Sequence, residues 1–415
     1  MGKTTIITNI GRLHGIHNET VLLRGKNLAQ LPSLSNAFLI IEDSELVSFG
    51  SMEQLDLSGN KGTHCIDAAG GDVLPAWCDS HTHLVFAASR EEEFVDKIKG
   101  LSYQEIAAKG GGILNSARKV EKATEDELFN AAWSRLTEIS RLGTGAVEIK
   151  SGYGLSVAAE LKMLRVIKKL KERSSLQIKS TFLGAHTYPV AFKEDHAAYI
   201  KLITEEMLPV IAAEKLADFI DVFCEDGFFS PSETEQICLA GKAHGLPAKI
   251  HGNQLHLSKG VQTAVALHAV SVDHLETMDQ EAIDCLATSD TIGTMLPNAA
   301  FFLRMPDPPA RQLIEAGAAL ALASDYNPGS APSGNMNFVV SQACIRMRMM
   351  PEEAINAATL NGAFAMRAQQ ICGSISPGKK ANLIVTKPIP SLAYLPYAFG
   401  QSCIEKVFVS GESIL

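Results

Sequence analysis

Through the middle of the chain, short apolar, β-branched runs alternate with longer stretches whose apolar residues recur at helical spacing. The strand-like runs are 74–84, 146–150, 178–183, 219–223, 248–251, 270–274, 291–296 and 319–325. Their length and β-branched content predict strands. Apolar positions three and four apart predict helices over 125–141, 157–172, 194–214, 232–244 and 351–365. Eight βα units over about 300 residues predict an α/β fold of the (β/α)8, TIM-like barrel type. A doubly wound sheet would want a Gly-rich dinucleotide turn, and Gly152-Tyr153-Gly154 lacks the third glycine. The chain also has no Walker motif.

The two ends have a different pattern. Runs 4–10, 37–41 and 46–50 near the start, and 381–386 and 404–411 near the finish, predict short strands with turns between them. Neither end carries enough strand to close a core alone. Paired, they predict one small composite β-sandwich domain: residues 1–72 as its N-terminal part, 73–372 as the inserted barrel, and 373–415 as its C-terminal part.

Composition narrows the class. With 415 residues, 46% hydrophobic and 20% charged, the chain can bury a large core. A net charge of −9 gives no basic stripe for nucleic acid. No apolar run reaches membrane-spanning length, and the N-terminus has no signal-peptide pattern, so a cytoplasmic protein is expected. The eight cysteines are scattered, without a Cys-x-x-Cys pair, and read as reduced core residues, with Cys224 alone near the expected site.

The chemistry falls at strand ends. In a (β/α)8 barrel the C-terminal ends of the strands form the active face. The first strand ends in His81-x-His83, whose side chains share a face because a strand repeats every two residues. The third runs into His186, the fifth into His251, the sixth into His274 and the eighth into Asp325. Any one of these histidines reads as easily as a packed core or surface residue. Five of the 12 at strand ends point instead to one shared centre.

Three imidazoles and a carboxylate (His81, His83, His251 and Asp325) suit one Zn2+ or iron ion with an open position. Such an ion brings the pKa of water towards neutrality and polarises a carbonyl or amidine. Asp325 is expected both to ligate and to take a proton, and His274 to hydrogen-bond the attacking water. The fourth strand ends Phe223-Cys224-Glu225-Asp226, with no Lys to bridge two ions, so a single metal is expected.

His81-x-His83, His251, His274 and Asp325, in this order, resemble the amidohydrolase superfamily. Its link back into the small β-domain is similar to Gly373-Ser374-Ile375-x-x-Gly378-Lys379-Lys380-Ala381-Asn382-Leu383. Longer blocks resemble one branch of it: Phe86-Ala87-x-x-Arg90-x-x-Glu93-Phe94, the 150–155 and 182–186 segments, and Ser324-Asp325-Tyr326-Asn327-Pro328-Gly329. That branch opens the ring of 4-imidazolone-5-propanoate to N-formimidoyl-L-glutamate in histidine breakdown. The resemblance implies a small-molecule substrate bound by Arg90 at its carboxylate tail and by Tyr153 and His186 at its ring. His186 would also polarise the ring carbonyl. Asn327, Gly329 and Ser330 would meet the amino-acid end. Gly110-Gly111-Gly112 would be a covering loop or a plain turn.

Where the family pattern has an acidic or amide residue, this chain has Gln254, which cannot be a general base. Asn253 likewise replaces the more usual Asp. Gln254 is therefore expected to orient the ring, leaving proton transfer to Asp325 or His274. Two rivals are a mononuclear aminohydrolase acting on a nucleobase-like heterocycle and an inactive barrel kept as an assembly subunit. Arg90 argues against the first, since a base without a tail gives it no carboxylate. The intact ligand set argues against the second. A homodimer is expected from the commonest symmetry.

Overall fold

A computed structural model describes residues 3–17, 19–56, 64–101, 105 and 111–415. Eight parallel strands follow one another in chain order around one sheet: Trp77–Thr82, Thr144–Lys150, Gln177–Ala185, Phe219–Cys224, Ala248–Gly252, Ser271–His274, Ile292–Met295 and Leu320–Leu322. The eighth closes on the first just beyond its own end. Asp325 donates its N–H to the His81 carbonyl at 3.0 Å, and His83 donates to the Tyr326 carbonyl at 2.9 Å. The Asp79 carboxylate adds two bonds, from the Ser324 N–H at 2.9 Å and its hydroxyl at 2.5 Å.

All eight predicted strands form, but the apolar run 74–84 divides. Val73–Pro75 pairs with Leu383–Thr386 in the sheet built from the chain ends, and only Trp77–Thr82 enters the barrel. The peptide between them is tied to both bodies: Ala76 donates to the Asn382 carbonyl and Trp77 to that of Gly143, each at 2.9 Å. The first barrel strand thus begins three residues into the apolar run, because one unbroken run serves two cores.

The end sheet has eight strands, five from the N-terminal side (Thr4–His14, Ser33–Glu42, Glu45–Ser51, His64–Asp67 and Val73–Pro75) and three from the C-terminal side (Leu383–Thr386, Ile404–Val409 and Glu412–Ser413). Leu46 near one edge and Phe408 near the other lie in the same apolar cluster, with Ile7, Leu39, Val73 and Leu383 between them. The sheet therefore folds back upon itself. At the meeting point a Cβ on Gly411 would stand 2.5 Å from the Asp43 carbonyl oxygen, so that close approach requires glycine.

The helices largely follow their predicted spans, for local reasons. Glu125–Arg141 starts at a capping box between Thr124 and Glu127 and buries Leu128, Ala132, Leu136 and Ile139 on one face. Pro231–Ala243 starts at another, between Ser230 and Glu233. Two predicted helices are not continuous. The 194–214 pattern becomes His196–Lys201, a wider π-type turn at Leu202–Met207, and Leu208–Glu214. Pro209 lacks an N–H and would clash with the carbonyl four residues back, which the wider turn relieves. The 351–365 pattern breaks at Thr359, whose hydroxyl donates to the Ile355 carbonyl at 2.6 Å. The Arg90-to-Glu93 charge run opens a helix, Glu91–Ile98, whose acidic first turn complements the positive end of its dipole.

All eight cysteines are free thiols, but only Cys78, Cys224, Cys238 and Cys372 are buried. The expectation of eight core cysteines is corrected: Cys65 is exposed and Cys285, Cys344 and Cys403 are half-buried. Among the described residues, no helix is long and apolar enough to cross a membrane.

Candidate metal centre and substrate pocket

The strand-end histidines meet at the barrel mouth. Ring centroids lie 5.3 Å apart for His81 and His83, 4.5 Å for His81 and His251, and 5.5 Å for His83 and His251. Asp325 joins them, its Oδ1 3.5 Å from Nε2 of both His81 and His83. The donor atoms form two overlapping sets, each within 4.8 Å: His81, His83 and Asp325, and His81, His251 and His274. His81 is common to both. His274, expected outside the ligand set, thus shares one set with two of the predicted ligands, His81 and His251.

Hydrogen bonds at the back of two of the rings fix which nitrogen faces forward. His81 Nδ1 lies 2.7 Å from Asp273 Oδ2, and His251 Nδ1 lies 3.0 Å from Asp221 Oδ1. His81 Nε2 and His251 Nε2, together with His83 Nδ1, are buried without a hydrogen-bond partner among the described residues. Buried polar atoms are nearly always satisfied, so the orphaned Nε2 atoms of His81 and His251, gathered with His83 and Asp325 at one point, fit a cation. Burial first, and then the positive charge of neighbouring Lys150 and histidines, holds His81, His83 and His251 well below the usual histidine range. They are neutral at pH 7, as metal ligands must be.

Asp325 and His274 sit on strained backbone, with φ of 54° and 94°. Burial raises the Asp325 carboxyl to about 6, partly offset by His274. Ser330 Oγ donates to its Oδ2 at 3.2 Å. For His274, burial opposes the charged form, but Glu276 and Asp325 outweigh it and raise the pKa. Its Nδ1 faces Glu276 Oε1 at 3.3 Å.

Three of the predicted substrate residues, His186, Tyr153 and Arg90, follow one another outward from His83. His186 stacks on His83 at 5.2 Å and 17°, its Nδ1 3.1 Å from the Gly152 carbonyl, and burial lowers its pKa to about 4. The Tyr153 ring lies 5.7 Å from that of His83, and Arg90 Cζ lies 6.0 Å from the Tyr153 centroid. Arg90 is half-buried, and its Nε donates to Ser116 Oγ at 2.9 Å. Gln254 is buried on a loop whose preceding residue, Asn253, has a φ of 55°.

Asn327 does something the sequence does not suggest. Its amide donates to the Asp325 carbonyl and to Ser330 Oγ, both at 2.7 Å, and accepts from the N–H groups of Gly329 and Ser330, both at 2.8 Å. The side chain is used up in folding its own loop, and through Ser330 it supports Asp325. Gly110 of the glycine triplet lies outside the described residues. Gly112 precedes the helix Ile113–Lys122 and donates its N–H to Glu93 at 3.0 Å.

Sequence reasoning missed two supports. Glu160, fully buried, accepts the N–H groups of Gly152, Gly154 and Leu155 and so shapes the loop carrying Tyr153. Glu148, Lys150, Asp221, Lys249 and Asp273 form a layer of charge beneath the histidines, each with no exposed surface. The signal was there: Glu148-x-Lys150 and Lys249-x-His251 put charge at every second position of otherwise apolar strands, on the inward face.

A parallel barrel with histidines and an aspartate gathered at the C-terminal ends of its strands defines a hydrolase of the metal-assisted kind, and the chain belongs to the amidohydrolase family, whose family model matches residues 73–414. It is 55% identical to the imidazolonepropionase of Flavobacterium johnsoniae over 411 residues, covering 99% of this chain and 100% of that one. The imidazolonepropionase of Clostridium tetani is 41% identical, over 94% of this chain and 93% of its own length. Among solved structures, an adenosine deaminase from Xanthomonas campestris with bound zinc superposes with a TM-score of 0.70 at 16% identity, covering 99% of this chain and 92% of that one. The last likeness is one of fold.

Proposed function

We propose that this protein hydrolyses the ring amide of 4-imidazolone-5-propanoate to N-formimidoyl-L-glutamate, the ring-opening step of histidine degradation. One observation carries the reading: neutral imidazoles and Asp325 stand at one end of a row of rings, His83, His186 and Tyr153, that leads to Arg90. The near full-length identity to imidazolonepropionases supports it. The deaminase rival has only a likeness of fold behind it and leaves Arg90 without a role.

His81, His83, His251 and Asp325 are the residues proposed to hold one zinc or iron ion. When bound, the ion supplies Lewis acidity, which acidifies water and polarises a carbonyl. The protein's own groups do the rest. The Arg90 guanidinium offers a planar fork to the propanoate, and Tyr153 closes the pocket over the ring. Gln254 orients the ring by hydrogen bonds, and His186 donates to the carbonyl oxygen as negative charge develops there. Gly329 and Ser330 bound the tail end. Asp325 takes the proton of the attacking water at its carboxylate and returns it to the leaving ring nitrogen, with His274 assisting, as the C–N bond breaks. A cytoplasmic homodimer completes the reading.

Loss of imidazolone absorbance on adding purified enzyme, together with metal analysis of the same sample, tests the proposal. Turnover with about one zinc or iron per chain is expected. Ammonia release from cytosine or guanine, without action on the imidazolone, would replace it with the aminohydrolase reading.

A further inference from the structure

Lys150 and Glu148 lie two residues apart on the second barrel strand, so both point into the barrel. There the Lys150 ammonium donates to Glu148 Oε1 at 2.6 Å and to Asp221 Oδ2 at 2.7 Å, and stands 3.6 Å from Asp273 Oδ2. The last two are the carboxylates that hold the imidazoles from behind, Asp221 on His251 and Asp273 on His81. Lys249 approaches from the other side, donating to the Ser80 carbonyl at 2.9 Å and to Glu148. Burial works against the Lys150 charge, but Asp221, Glu148 and Asp273 outweigh it and keep the ammonium protonated.

We infer that Lys150 is a positioning residue: one ammonium ties Asp221 and Asp273 together, and so turns Nε2 of His251 and of His81 towards the same point. The inference rests on the metal reading given above. Its physical basis is that two like charges buried side by side repel strongly unless a cation sits between them. Lys249 also stands 3.9 Å from Asp273, but the ammonium that hydrogen-bonds Asp221 is that of Lys150; without it the two aspartates lose their common bridge, and the rings they hold lose a common aim. Partners of this kind, behind metal-ligating imidazoles, typically carry 10- to 100-fold in metal affinity.

A bare K150M would bury an extra uncompensated carboxylate and could fail through the fold alone. The double variant E148Q/K150M removes one charge of each sign, so the layer keeps its net charge while losing the bridge to Asp221 and Asp273. Zinc alone is the probe: zinc-loaded proteins are mixed with a chromogenic chelator, and release is followed beside thermal melting. The double variant is expected to melt cooperatively yet release zinc about tenfold faster than wild type, or more. Release at the wild-type rate would overturn the inference. So would failure of the charge-balanced variant to fold, which would assign Lys150 to the fold instead. A wild type that takes up neither zinc nor iron would instead overturn the metal reading on which the inference stands.

Discussion

Gly329 lies directly beneath the guanidinium of Arg90: a Cβ on this residue would stand 2.4 Å from Arg90 Nη1. Lys97 Nζ meets the Gly329 carbonyl from the same helix at 3.3 Å, so the loop after the eighth strand is pinned against the arginine proposed to bind the tail. The absence of a side chain at 329 sets where that charge sits.

Gly329→Ala is therefore expected to displace the guanidinium and leave the fold intact, because the clashing atom is the far end of a flexible side chain. A charged hydrogen bond is worth about 1.5–3 kcal/mol, so KM for the imidazolone should rise roughly tenfold or more. Turnover at saturation should change little. Steady-state kinetics checks the split.

Asp325→Asn and Gln254→Ala separate proton transfer from ring orientation. With its carboxyl raised to about 6, Asp325 can accept and return a proton near neutral pH. Its amide variant should lose roughly 10²- to 10⁴-fold in kcat. The Gln254 variant should raise KM and leave the pH profile where it was. Near-wild-type turnover by Asp325→Asn would refute the role.

Glu160→Ala should loosen the pocket from outside it. Each buried backbone donor left unsatisfied costs about 1–3 kcal/mol, and Glu160 serves the N–H groups of Gly152, Gly154 and Leu155. A lowered melting temperature is expected together with a raised KM, since the freed loop carries Tyr153. A loss of stability with unchanged KM would confine Glu160 to the fold.

Stability of the metal-free protein should fall in acid. Burial holds His81, His83 and His251 well below the usual histidine value and brings His186 to about 4. Below pH 6.5 the unfolded chain binds protons that the folded one refuses, so stability present above that pH drains away as the pH falls. For His186, with a folded value of about 4, the loss between pH 6.5 and 5 is roughly 2 kcal/mol. Melting of chelator-treated protein across that range measures the total. His186→Gln should fall less steeply than wild type.

The sequence by itself determined the alternation of strand and helix, the barrel it builds and the residues at the strand ends. These are local matters. A period of two fixes the face on which His81 and His83 point, and a barrel directs every strand end to one mouth. Helix starts such as Thr124 with Glu127 were equally local, as was the β-rich pattern of both ends.

Only the tertiary structure decided which charges meet. Asp273 reaches His81 across 192 positions of sequence, and Lys249 reaches the Ser80 carbonyl across 169. It also divided the 74–84 run between two cores, brought His274 up to the predicted ligands and turned the Asn327 amide inward upon its own loop. The physical reason is common to all of these. A side chain's face follows from its neighbours in the chain, but its hydrogen-bond partner is whichever complementary group folding brings within about 3 Å, and that is settled only when distant segments close on one another.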